Sequence, residues 1–448
     1  MIDVLIAGAG TAGVALGGML AARGRSVLLV DARAEPELGH DWCNTVEKRV
    51  CETLGLGDGS EWEIAVPLRE MVVNSPDARS WKTIYDFPYV LLDSRRFLAK
   101  LLDDARRAGA EFREKTRVLY PLYDPRKVFG AALEREGRTE NVLARVTVDA
   151  TGLAAVLRRK LPKEWDVDTA PIEGADVARA YREVRRFRAR DAMEPSPGGI
   201  VLRFGHHGGY SWISREAADR IDLGAGVADV PGAPEPRALV QKAIDGLPGI
   251  DRTPLRGGGG RLPIRRALEN LVWNGFLVVG DACSQAMPLT GANTGTIVHA
   301  ARIAAEVLDG ALSRPQVEIE HLWRYNVQYH RGRGAVLASL DVLRAALRSM
   351  DEEDLDYLFH RDLLSAEQFS RIWQVKAARL STTEAAFGAL RGITRPRLVG
   401  RFNEAFSRAR RVLRHYHAYP QTYEPMEFRA WAGEARAPFA GGPPGART

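Results

Sequence analysis

VLIAGAGTAGVALGGML, from Val4 to Leu20, and GFLVVGDACSQAMPLTGANTGT, from Gly275 to Thr296, stand about 270 residues apart in a chain of 448. The first reads as a strand, Val4 to Ala7, then Gly8-Ala9-Gly10-Thr11-Ala12-Gly13, then an Ala/Leu-rich helix ending near Arg23-Gly24. A second strand, Ser26 to Val30, stops at Asp31. Gly8 permits a tight turn, Gly10 lets the backbone approach a pyrophosphate, and Gly13 lets helix and strand pack closely. The helix N-terminus offers N–H groups to phosphate, and Asp31, eighteen residues past Gly13, is placed to accept from a ribose hydroxyl.

The second stretch repeats the logic at another point of the same sheet. Gly280-Asp281 directly after a strand puts a carboxylate at the carboxyl end of an open α/β sheet, where ligands bind. There it can hold a polyol. Pro288 to Gly295 forms a glycine-rich turn into a helix, which aims a positive dipole at whatever lies above it. Between the halves, Val148-Asp149-Ala150-Thr151-Gly152 reads as a buried strand opening into a turn.

Hydrophobic content of 45% and 27% charge describe a folded globular chain, long enough for two connected domains and a tail. A net charge of +6 dispersed over this length argues against a nucleic-acid partner. The densest basic cluster, Arg408, Arg410, Arg411 and Arg414, reads as a solvated helix face, with a patch resting on anionic lipid as the alternative. No stretch of 18 uncharged apolar residues predicts a membrane span, and the first strand begins at residue 2 with no charged leader before it. The expected compartment is the cytoplasm, with peripheral membrane contact allowed. Cys43, Cys51 and Cys283 match no zinc spacing, and no metal is expected.

Strands are expected at 110–120, 127–136 and 142–149, within 71–90, and at 199–204, 210–214, 221–227 and 276–279; helices at 47–56, 92–108 and 295–312. Everything past Pro315 reads as helical and charged. Tyr210 and Trp212, at i and i+2 of a strand, face one side of a sheet. They line either an apolar pocket or a core. His206 and His207 fall in a Gly-rich turn at the pocket rim.

Together, Gly8 to Gly13, Asp31, Asp149 to Gly152, Gly280-Asp281-Ala282 and Pro288 to Gly295 resemble the FAD-binding pattern of glutathione-reductase-type Rossmann flavoproteins with hydroxybenzoate-hydroxylase architecture. Within that superfamily Gly209-Tyr210-Ser211-Trp212-Ile213 and the following Gly226 resemble the geranylgeranyl reductase family. Departures are Ser214-Arg215 in place of that family's Phe-Pro, Gly291-Ala292-Asn293 in place of its Gly-x-Gly, and Ser94 with Arg95 and Arg96 where an arginine usually stands.

The resemblance implies an α/β fold. A Rossmann-type FAD domain (1–75, 99–165, 263–312) carries an inserted antiparallel substrate sheet (76–98, 166–262), a helical C-terminal region (313–437) and a disordered tail (438–448). It implies FAD held by Gly8, Gly10, Thr11, Ala12, Gly13, Asp31, Ala32, Arg33, Arg96, Val118, Gly280, Asp281, Pro288, Gly291, Ala292, Asn293 and Thr294. Tyr210, Trp212 and Cys43, the last in the loop after the Asp31 strand, are the catalytic candidates, with the tyrosine hydroxyl as a proton donor. The implied activity is reduction of C=C bonds in an isoprenoid or similar apolar substrate. An oxygen-using monooxygenase or halogenase and a non-catalytic prenyl-lipid carrier are the alternatives. A second GxGxxG is absent, so electrons come from transiently docked NAD(P)H, a reductase or a ferredoxin.

Overall fold

Three parallel strands bring the distant glycine stretches together: β1 (Ile2–Ala7) pairs with β11 (Arg138–Asp149), and β11 with β18 (Phe276–Val278). The structure is a computed structural model describing residues 1–56, 65–85, 88–188, 199–205, 208–217, 219–247, 249–377 and 394–439. Around those strands an eight-stranded sheet runs β17 (Val272–Trp273), β18, β11, β1, β2 (Val27–Val30), β8 (Glu111–Arg113), with β10 (Val128–Arg135) and β9 (Thr116–Tyr123) folded back from β11. β1 and β2 are almost wholly apolar because they are buried in the middle of a parallel sheet. α1 (Thr11–Ala21) packs between α3 (Ser94–Arg107) and α5 (Thr294–Leu312).

A second, seven-stranded sheet runs β16 (Arg256–Pro263), β12 (Val177–Arg186), β15 (Arg220–Ala228), β14 (Gly209–Ala217), β13 (Gly199–Gly205), β5 (Glu70–Asn74), β6 (Trp81–Tyr85). Its neighbours are antiparallel except β13 and β5. One face carries α4 (Pro236–Asp245) over Ile221, Leu223 and Ala225; the other looks toward the parallel sheet. A three-stranded sheet, β3 (Cys43–Glu47), β7 (Tyr89–Asp93) and β4 (Ala65–Pro67), lies between.

Several boundaries differ from the sequence expectation. Cys43 opens strand β3, opposite Asp93, instead of lying in a loop. The helix expected from Glu47 is only α2 (Lys48–Thr53), since Glu47 still belongs to β3 and its carboxylate receives Arg49 and Arg333. α3 starts at Ser94 because the Asp93 carboxylate caps it, accepting from the N–H groups of Arg95 and Arg96 at 3.1 and 3.0 Å. β12 and β16 were not foreseen: β12 carries Arg179, Arg182, Arg185 and Arg186 with no period-two pattern, and β16 contains Gly257 to Gly260, which no β propensity announces.

The C-terminal region is helical: α6 (Ile319–Tyr329), α7 (Ala335–Arg348), α8 (Glu352–His360), α9 (Ala366–Trp373), α10 (Pro396–His417) and α11 (Pro425–Arg436). α6 and α7 meet at a wide turn, His330 to Gly334, where Gly332 leaves helical geometry. A buried ionic network ties these helices to the sheet. Arg266 meets Glu269 at 3.1 Å, Arg344 meets Asp341 at 2.8 Å, Asp341 accepts the Arg266 N–H, and Arg436 meets Glu269. At the expected tail, Ala437–Phe439 forms a short turn whose phenyl ring receives the Arg266 guanidinium, and 440–448 lie outside the described residues. Among the described residues no helix is long and apolar enough to cross a membrane.

Candidate active site

The chain turns at Gly8 with φ of +106°, and a Cβ there would stand 2.3 Å from the Ala150 carbonyl oxygen. Only glycine fits. A Cβ on Gly13 would stand 1.9 Å from the Gly8 carbonyl oxygen, so that glycine sets how closely α1 lies on the turn. Gly10, the N-cap of α1, has nothing within 4 Å of its Cβ position. The space before the N–H groups of Thr11 and Ala12 is therefore open to a phosphate. Asp31, 8% exposed, accepts the Ala9 N–H at 2.8 Å and both the N–H and guanidinium of Arg33. It braces the loop and holds Arg33 at its rim, with Ala32 between them. Val118 is buried in β9 opposite Leu133, and Arg96 sits in the first turn of α3.

The second half meets the first at Gly280, where φ is +76° and a Cβ would touch the Ala12 side chain at 2.9 Å. Asp281 follows. Its Oδ1 is buried with no hydrogen-bond partner in the protein, and its Oδ2 lies 3.4 Å from the Asn293 amide. Burial pushes this carboxyl up to about 6. A buried acceptor without a donor is rare in a folded protein, and it suits a ligand that brings hydroxyl groups, as the ribityl chain of FAD does. Asn293 caps α5 without a side-chain bond to the helix, its amide being turned to Asp281, so the first N–H groups of α5 stay available. Gly291, φ +67°, leaves room for Leu262. Asp149 behaves differently: it is fully buried and accepts from the N–H groups of Thr151, Leu157 and Arg158 and the Thr151 hydroxyl, so it is a satisfied turn anchor. Sequence reading missed Arg158, wholly buried, which bonds the Ala282 carbonyl at 2.9 Å and ties the two halves together.

Beside Asp281 opens a cavity of ≈ 250 Å³. Pro288, Gly291, Ala292, Asn293 and Thr294 line one side; Cys43, Tyr210 and Trp212 line another, so eight of the predicted residues meet there with Asp281. The Tyr210 and Trp212 rings are 5.7 Å apart. The Tyr210 hydroxyl donates to the Thr290 carbonyl at 2.5 Å, and burial pushes its pKa upward. Its proton is thus engaged in clamping the antiparallel sheet to the loop before α5. His206 and His207 lie outside the described residues.

Residues that sequence reading missed complete the wall. Trp42 lines the cavity, and the Arg182 guanidinium lies 5.5 Å from the ring centres of both Trp42 and Trp212. Arg182 is paired with Asp222, fully buried on β15, which also accepts the Trp212 indole N–H at 3.1 Å. Burial lowers Arg182 to about 10, still cationic at neutral pH. Glu216, held by Arg256 at 2.6 Å, stands against Cys43. Burial, and then the Glu216 charge, pushes the Cys43 thiol up to about 12, so it keeps its proton. Beyond this cluster the same face is nearly bare: Ala178 and Ala180 on β12, Gly226 on β15 and Gly258 and Gly260 on β16 all line the cavity. An Arg facing inward beside small residues was the available signal in β12.

Residues 1–194 match the family model described as an FAD binding domain. The chain is 26% identical over 437 residues to a digeranylgeranylglycerophospholipid reductase of Sulfolobus acidocaldarius, covering 96% of each chain. Among solved structures, a geranylgeranyl bacteriochlorophyll reductase-like protein of Thermoplasma acidophilum matches with a TM-score of 0.72 at 17% identity, over 90% of this chain and 99% of that one. The flavin-dependent brominase Bmp2 matches at 0.63 and 19%, over 88% and 99%. The two structural likenesses establish the fold, which hosts more than one flavin chemistry.

Proposed function

We propose that this chain, which belongs to the geranylgeranyl reductase family of FAD-dependent oxidoreductases, saturates C=C bonds of an isoprenoid lipid held in the cavity between its two sheets. The observation that carries the reading is the cavity's composition: one wall is the Asp281 and Pro288–Thr294 flavin side, and the opposite wall sets Trp42, Tyr210 and Trp212 beside a run of glycine and alanine, with Arg182 behind the indoles. The aromatic and small-residue part of this wall accepts a long branched chain, and the polar groups beside it, Arg182 above all, are engaged with Asp222 and the indole rings.

FAD would be held by Gly8 to Gly13 and the α1 N-terminus at its phosphates, by the Asp31–Arg33 corner at its adenosine end, and by Asp281 and the turn before α5 at its ribityl and ring end. When reduced, it supplies a hydride. The protein's residues orient the alkene and exclude water. Trp212 and Trp42 form an apolar wall stiffened by Arg182, and Tyr210 keeps that wall at a set distance from the Thr290 loop. Cys43, protonated at neutral pH and facing the cavity, is the group we assign to deliver the proton, in place of Tyr210. An external donor, NAD(P)H or a redox protein, and contact with a bilayer where the substrate resides belong to the same reading.

The test is anaerobic turnover. Photoreduced holoprotein mixed with a geranylgeranyl lipid in detergent gains two hydrogens per bond in the product by mass spectrometry. Product that forms only after oxygen is admitted would replace this reading with oxygenase or halogenase chemistry, which the Bmp2 fold also supports.

A further inference from the structure

The outer face of α10 is strongly basic. Arg397, Arg401, Arg408, Arg410, Arg411 and Arg414 are all exposed on this 22-residue helix, and Glu404 is the single exposed carboxylate among them. Six arginines against one glutamate make this face strongly cationic. At 1.5 Å per residue it extends roughly 30 Å. Arg408 meets Glu404 at 3.1 Å and Arg411 meets the Ser407 hydroxyl, while Arg410 and Arg414 form no ion pair among the described residues. The opposite face, Leu398, Phe402, Ala405, Phe406, Ala409 and Val412, is buried against α7.

We propose that this arginine face docks the protein on an anionic bilayer surface. The inference rests on the isoprenoid reading above, which places the substrate in a membrane. Charge complementarity fits: phosphate headgroups need dispersed cations on a flat face, and polybasic helices adsorb in this way. The exposed residues of α10 include no aromatic ring other than His417, so the face lacks the stacking surface that single-stranded nucleic acid uses. Position fits too. α7 carries Arg344 into the cavity wall and packs against α10, and Arg401 bonds both the carbonyl and hydroxyl of Ser349 at 3.0 Å just past the end of α7. One helix layer therefore separates the arginine face from the cavity. With no exposed apolar side chain beyond Pro396 at its start, the helix attaches electrostatically and the attachment is salt-labile.

The test uses the holoprotein and vesicles free of isoprenoid, either pure phosphatidylcholine or phosphatidylcholine with phosphatidylglycerol. Cosedimentation is expected only with the anionic vesicles and is abolished at about 0.5 M salt. The variant Arg410→Glu/Arg411→Glu/Arg414→Glu should lower the partition coefficient by on the order of 100-fold while keeping its FAD spectrum and its alkene reduction in detergent micelles. Should it fail to fold, the three Arg→Gln changes serve the same purpose. Equal binding to both vesicles, unchanged binding by a folded variant, or displacement by a duplex oligonucleotide at matched charge overturns the proposal. Vesicle binding without alkene reduction in micelles would instead refute the isoprenoid reading alone.

Discussion

The indole of Trp212 lies over Gly224 on the neighbouring strand, so closely that a Cβ on Gly224 would stand 2.0 Å from its Cζ2. The ring's position is set by a missing side chain on one side and by the Asp222 carboxylate and Arg182 on the others. Gly224→Ala is expected to displace the ring, lowering stability by about 1–3 kcal/mol and alkene reduction by at least about tenfold, with FAD retained. Adding Trp212→Ala should recover part of the lost stability. A thermal-melt double-mutant cycle reads this coupling, and strict additivity would show that the two residues do not compete for one space.

Asp281 predicts a pH-dependent cofactor affinity. Burial raises its carboxyl to about 6 in the folded apoprotein, above its ordinary 3.8, with only the Asn293 amide at Oδ2 opposing the shift and Oδ1 left without a donor. Raising pH through 4 to 6 therefore destabilises the apoprotein, since the charged form is favoured in the unfolded chain. FAD hydroxyl groups favour that same charged form, so FAD affinity should rise by up to about tenfold per pH unit below 6 and level off above it. Asp281→Asn should flatten the profile, and Asp281→Ala should leave a folded, colourless protein. Fluorescence titration with FAD measures both.

Cys43 should resist alkylation at neutral pH. Its thiol is held near 12 by burial and by Glu216, so iodoacetamide labelling of the native protein should climb only above pH 10. Glu216→Gln removes the neighbouring charge and should move the labelling curve to lower pH. Cys43→Ser should cost at least about tenfold in the alkene-reducing half-reaction, the range of a lost general acid, while leaving reduction of the flavin itself unchanged. Equal loss in both half-reactions would make Cys43 a packing residue.

Gly260 offers a steric probe of the cavity floor. It lines the cavity, yet nothing lies within 4 Å of the Cβ it lacks, so the fold does not require glycine there. Glycine in a strand costs about 0.5–1 kcal/mol and often marks the approach of a ligand. Gly260→Val should keep or slightly raise the melting temperature but lower turnover of long isoprenoids several-fold more than of short ones. An unchanged chain-length profile would place the substrate elsewhere.

His330 governs acid stability. It is fully buried with both ring nitrogens unpartnered, stacked 4.7 Å from Tyr419, and burial lowers its pKa to about 3. The unfolded chain binds a proton that the folded one refuses, so stability is full above pH 6.5 and is lost as pH falls toward 3. At pH 5 the cost is about 2 kcal/mol. His330→Phe should reduce the slope of stability against pH over that window in urea titrations.

Much of the cofactor half was legible because its signals are local. Gly8, Gly13 and Gly280 answer to backbone constraints set within a few residues of themselves or at one contact point, so their identity survives in the bare sequence. The cavity was only half legible. Tyr210 and Trp212 announce themselves by alternation, but Arg182, Glu216, Asp222 and Arg256 come from four different strands, with Trp42 from the bend before β3, and acquire meaning only through register. Gly258 and Gly260 were invisible for the opposite reason, since a glycine run looks like a loop until pairing with β12 shows it to be a strand.

By itself, then, the sequence determined the fold class, the dinucleotide cofactor and the place of the flavin-side turn, because turns, caps and strand ends are dictated by neighbours along the chain. Tertiary structure alone decided what faces that turn: that the Tyr210 hydroxyl is spent on a carbonyl, that a thiol beside a buried carboxylate keeps its proton, and that the Asp281 Oδ1 is buried without a donor. Burial and pairing across sheets set those properties, and neither is a function of sequence distance.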